Sequence, residues 1–134
     1  MKQDILVPQV KNVLVAAVPR SGNFSEEMWD IYVVNTGDEP MQNILITSHG
    51  YGRLNGRDKT TTVLRHFHQQ LGPNSFIKVE PIQRELFGIQ NEYWISFNAQ
   101  EGMLDKRFVF EAGDIAETAL VTVPVLNKTG VTVS

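Results

Sequence analysis

The residues best suited to chemistry in this chain are its three histidines, His49, His66 and His68, which lie close together in sequence. His66 and His68 are two positions apart, so on a strand they share a face and can offer two imidazoles to one ion, with His49 or a carboxylate as a third ligand. Arg65, the cationic neighbour immediately before His66, opposes a dication, so no metal site is expected. An anion is better suited. Arg53, Arg57 and Arg65 present forked donors that match phosphate or carboxylate geometry, and with His49, His66 and His68 they form a candidate anion-binding set.

The run from His49 to Thr60 contains Gly50, Gly52 and Gly56 and invites comparison with a phosphate-binding loop. The match fails in detail, because Arg57 and Asp58 stand where the Walker motif needs lysine and serine or threonine. The glycine spacing is not the dinucleotide fingerprint either, and no βαβ unit surrounds it. A flexible hairpin loop is the expected form. For acyl transfer there is neither a Gly-x-Ser-x-Gly elbow nor any cysteine. The adjacent acids Glu26-Glu27 and Asp38-Glu39 read as solvated surface rather than as a perturbed pair. No catalytic residue and no cofactor is therefore assigned, and the balance is against an enzyme. Asn23-Phe24-Ser25 and Asn127-Lys128-Thr129 match the glycosylation pattern by chance.

The elements that position these groups must hold without covalent staples, since the chain of 134 residues has no cysteine. That suits a reducing cytoplasm, and the segment Met1 to Pro8, too short and broken by proline to be a secretory core, leads to the same cytoplasmic expectation. A formal net charge of -3 argues against nucleic acid as a partner. The charge is uneven: Glu26, Glu27, Asp30, Asp38 and Glu39 fall in one segment, and Arg53, Arg57, Lys59 and Arg65 in another. The longest apolar stretch, Val13 to Val18, falls far short of the ~20 residues a membrane helix needs, so no membrane is expected.

Alternating apolar and polar residues, β-branched enrichment and frequent turn residues run the whole length, which predicts one all-β domain over 1–134 with fraying ends at 1–8 and 127–134. Val13 to Val18 is a first strand closed by Pro19. Trp29 to Asn35 and Asn43 to Ser48 read as a hairpin joined by Thr36 to Pro40, with Val33 opposite Ile44, and Ile31 with Ile46 on the core face. Thr60 to Leu71 fits either a strand or a short helix, and the strand is preferred for its three threonines. Asn74 to Ile82 alternates with Phe76, Lys78 and Glu80 opposite Ser75, Ile77 and Val79. Glu92 to Asn98 and Asp105 to Glu111 form the clearest hairpin, with Ile95 against Phe108 and Tyr93 against Phe110. Thr118 to Val125 is a last strand, and Val131 to Val133 a frayed addition.

About seven or eight such strands fit a two-sheet antiparallel sandwich with Greek-key connections. The stretch from Trp29 to Ile46, a strand, the Asn35-Thr36-Gly37 turn and a second strand, resembles that of bacterial immunoglobulin-like modules. Leu71-Gly72-Pro73-Asn74-Ser75 resembles the turn before a later strand in them. The resemblance implies an immunoglobulin-like fold and no catalytic residue, since these modules act as spacers, adhesion surfaces and appended domains. The function expected is association, with another protein or a second copy, through outward apolar side chains: Tyr32, Val34 and Leu45 on one hairpin, Trp94 and Val109 on the other. Small-anion binding is the alternative, and an enzyme the third reading.

Overall fold

The computed structural model describes residues 9–134, so the expected fraying of 1–8 lies outside the described residues. Among the described residues there are ten strands: β1 (Val13–Pro19), β2 (Met28–Asn35), β3 (Met41–Leu54), β4 (Arg57–Thr60), β5 (Leu64–Leu71), β6 (Ser75–Gln83), β7 (Gln90–Ala99), β8 (Gly102–Phe110), β9 (Val121–Val123) and β10 (Lys128–Val133). They form two antiparallel sheets packed as a sandwich. One has the order β6-β2-β1-β10-β9. In the other, β3 is flanked by β7 and β8 on one side and by β5 and then β4 on its other edge. The ambiguous segment is a strand over Leu64–Leu71.

The two sheets differ in how their strands are buried, and the sequence pattern says why. β1 and β2 are near-continuous apolar runs and are buried on both faces, as strands at the centre of a covered sheet must be. β3, β7 and β8 alternate, with Ile44, Ile46, Tyr93, Ile95, Phe97, Leu104, Phe108 and Phe110 buried in the core between the sheets. Trp29 anchors one end of that core, fully buried, edge-on to Phe24 and Phe87 at ring separations of 5.5 and 5.0 Å.

Several expectations are corrected. β2 and β3 do not form a hairpin. β2 pairs with β1 and β6, so neither of its edges is left for β3, and residues 36–40 carry the chain across to the other sheet. The β7–β8 hairpin keeps the expected inward faces but its register is two residues shorter: Tyr93 faces Phe108 and Ile95 faces Lys106. The turn is tight at Gln100-Glu101, followed by Gly102 at φ 115°, where a longer loop was expected. The strand expected over Thr118 to Val125 is shorter: it is β9, three residues long, preceded by a 3-10 turn at Glu117–Ala119. The segment Lys128–Val133 is not frayed: it lies between β1 and β9, with Gly130 and Val131 buried.

Candidate functional site

Two places collect the side chains that could act. The first is the outer face of the sheet containing β3. Strand register places Phe67, Leu45, Ser96 and Asp105 in one row across β5, β3, β7 and β8, and Arg65, Thr47, Trp94 and Arg107 in the next. A third row holds His49, Glu92 and Val109. Phe67 is 63% exposed, Trp94 45% and Leu45 41%. Arg107 is held, its Nε 2.5 Å from a Glu92 carboxylate oxygen and a terminal nitrogen donating to the Tyr51 hydroxyl at 2.7 Å. Arg65 and Asp105 have no ion-pair partner among the described residues.

Of the five residues assigned to a contact surface, Leu45, Trp94 and the half-buried Val109 share this face. Tyr32 and Val34 do not. They lie on the outer face of the other sheet, at 6% and 0% exposure, beneath Val123 and Leu126 in a second apolar cluster with Ala16 and Val18. The segment linking β9 to β10 covers them, so they have no surface to offer a partner.

The second place is the seam where β5 and β6, edges of opposite sheets, face each other. Most of β6 alternates as expected, but its register with β2 shifts between Ile31 and Tyr32, leaving Val79 as an extra residue. That bulge turns Glu80 from the outward side of Phe76 and Lys78 to the inner side, opposite Ile31. There one carboxylate oxygen, Oε1, accepts from the Ser48 hydroxyl at 2.8 Å and lies 2.7 Å from His66 Nε2. The Glu80 side chain is 13% exposed and that of His66 26%. A cavity of about 150 Å³ opens beside them, lined by Ser48, Glu80, Tyr93, Asn91, Thr61 and the apolar Leu64, Ile82 and Leu86, among others.

Tyr93 is 2% exposed and lines this cavity. Burial first, and the Glu80 charge second, push its phenol above the usual range, so it stays neutral. The cluster is not a nucleophile site. In a serine–histidine–acid relay the imidazole stands between hydroxyl and carboxylate, whereas here the carboxylate stands between Ser48 and His66.

The six residues of the candidate anion set do not converge. Arg53 and Arg57 are exposed on the β3–β4 hairpin, where Arg53 lies 3.3 Å from Asp58 and donates to the Gly56 carbonyl at 2.6 Å. Its turn is Asn55-Gly56 with φ of 54° and 77°, a two-residue connection of the primed type. Arg65 is on the outer face of β5, and His66 and His68 alternate with it on the inner face. His49 packs against Tyr51 with ring centres 5.3 Å apart. His66 is paired with the Glu80 carboxylate, which repels an anion. Glu80, Ser48 and Tyr93 carry the seam and were not singled out from sequence. The available hint was Ser48 itself, a hydroxyl in line with the apolar Ile44 and Ile46 on a core-facing strand. Among the described residues no group of three or more His, Asp or Glu is placed to hold a metal ion. No helix among them is long and apolar enough to cross a membrane.

No family model matches this sequence, and no curated protein is significantly similar to it. Among solved structures, the sporulation control protein Spo0M from Bacillus subtilis is similar over 76% of this chain and 49% of its own, at 8% identity and a TM-score of 0.34. The chain thus spans about half the length of that protein, and so remote a likeness carries no functional inference.

Proposed function

We propose that the domain is an association module and that its contact surface is the outer face of β5, β3, β7 and β8, with a second copy of the chain as its occupant. The observation that carries this reading is the contrast between the two outer faces. One is covered over β1 and β2 by the chain's own β9–β10 segment, which leaves Phe76 exposed only at its β6 edge, while the other leaves Leu45, Phe67 and Trp94 close together in solvent. Large apolar side chains grouped across neighbouring strands, with polar residues around them, are what a contact surface needs.

Self-association is supported by charge. Arg65 and Asp105 lie on opposite margins of the patch, on β5 and β8. A two-fold axis along the strands, with the usual inclination of about 30° between packed sheets, brings the Arg65 margin of one copy against the Asp105 margin of the other, twice by symmetry. Sedimentation of the full chain over a range of concentrations is expected to show a reversible dimer. Trp94→Ser should abolish it while changing the stability of the monomer by no more than about 0.5 kcal/mol, because the ring is already half in solvent. Arg65→Asp should weaken the dimer, and adding Asp105→Arg should restore it. A monomer at every concentration, or a dimer indifferent to Trp94→Ser, would sink this reading. Trp94 emission that changes only on adding a different protein would replace the second copy with that partner.

A further inference from the structure

The seam cavity has a chemical character that the association surface does not use. Its polar wall carries His49, Thr61 and Thr62 on one side and, on the other, Glu80, Tyr93 and Asn91, which offer acceptors. Glu80 Oε1 is occupied by Ser48 and His66, while its second oxygen has no hydrogen bond among the described residues. The Tyr93 hydroxyl likewise has none, although the residue is 98% removed from solvent by its 2% exposure and borders the cavity. The Asn91 amide nitrogen donates to the Leu86 and Ile89 carbonyls at 2.8 and 3.1 Å, which leaves its oxygen as a further acceptor. No lysine or arginine lines the cavity, and Leu64, Pro81, Ile82 and Leu86 make the rest of the wall apolar. A buried carboxylate with a free oxygen selects for a cation, and apolar walls select for a cation carried on a hydrocarbon stem. The space, about 150 Å³, holds about five water-sized groups.

We propose that this cavity binds a primary alkylammonium group, its three N–H donors shared among Glu80, Tyr93 and Asn91 and its alkyl stem lying along Leu64, Ile82 and Leu86. The bulge in β6 and the pairing of Ser48 with Leu64 and Tyr93 are what build the site, because they aim Glu80 at the inner row that carries Ser48 and Tyr93. The Ser48 and His66 contacts then fix one carboxylate oxygen and leave the other toward the cavity. The site repels phosphates and carboxylates for the same reason that it attracts ammonium.

The test is a titration of the full chain with n-butylammonium chloride, followed by amide NMR shifts. Saturable shifts are expected at Ser48, Glu80 and Tyr93, with none from butanol or butyrate at matched ionic strength. Nα-acetyl-lysine N-methylamide distinguishes the source of the group. Saturation by the free amine alone assigns the site to a small amine, and saturation by both extends it to a lysine side chain of a partner; either result supports the site. Glu80→Gln retains contacts to Ser48 and His66 but removes the charge, and should weaken butylammonium at least roughly tenfold. Tyr93→Phe, which deletes one acceptor and no contact within the chain, should weaken it severalfold. Absence of saturation by butylammonium, equal binding of butanol, or unchanged affinity in a folded Glu80→Gln protein would each overturn the proposal. None of these outcomes depends on whether the chain dimerises through Trp94.

Discussion

At the residue scale, Tyr93 and His68 set opposite limits on stability. His68 stands on the inner side of β5, and partial desolvation, reinforced by the neighbouring His66, holds its pKa below the usual 6.5. As pH falls through that value the unfolded chain takes up the proton before the folded one, so stability is lost on acidification below about 6.5. Tyr93 acts at the other end. Its phenol stays protonated in the fold while the unfolded phenol ionises at about pH 10, so stability is lost as pH rises beyond that. Urea unfolding midpoints measured from mildly acid to alkaline pH should therefore fall at both ends. His68→Gln should flatten the acid limb, and Tyr93→Phe the alkaline limb. An alkaline limb unchanged in Tyr93→Phe would mean that the hydroxyl is not held neutral by burial.

At the element scale, the strand faces were legible from residue types, but strand partners were not. Ile31, Val33, Ile44 and Ile46 all reach the core as their alternation required, although β2 and β3 belong to different sheets. Two strands with apolar inward faces and a turn between them fit a hairpin and a crossover alike; the choice depends on whether other strands take the edges. The crossover is held by Asn35, buried at 2% exposure. Its amide nitrogen donates to the Glu39 and Gly72 carbonyls at 2.8 and 3.0 Å, and its oxygen accepts from the Gly37 N–H at 3.0 Å. It thereby ties the β2–β3 connection to the β5–β6 turn. Asn35→Ala should cost about 1 to 3 kcal/mol in equilibrium unfolding, the penalty for leaving such groups unpaired. A loss within error of zero would show that solvent satisfies those groups unaided.

At the scale of the whole molecule, the β9–β10 segment decides which apolar surface is left over. Val123 and Leu126 lie on Ala16, Val18, Tyr32 and Val34 and turn the face of β1 and β2 into a second core. Leu126→Ala should destabilise the domain by about 2 kcal/mol or more, as loss of a buried leucine does, and should expose Tyr32 to a solvent quencher in the native state. Native Tyr32 that stays fully protected in that variant would show that the segment is not what covers the face.

The sequence by itself determined the all-β class, the inward residues of β2, β3, β7 and β8, and the apolar excess on outward positions, and it leaned toward a strand for the segment that contains Leu64–Leu71. These follow from period-two alternation, which is a local property of a pleated chain. Tertiary structure decided the rest. Which apolar outer face is covered, which strands pair, and where Glu80 points depend on contacts between residues far apart in sequence. A single extra residue at Val79 reverses the face of Glu80, because a shift of one position moves a strand side chain to the opposite side of its sheet. For the same reason the arginines and histidines, adjacent along the chain, are sent to a hairpin tip, an outer face and an inner seam, and the seam instead gathers Ser48, Glu80 and Tyr93 from three separate strands.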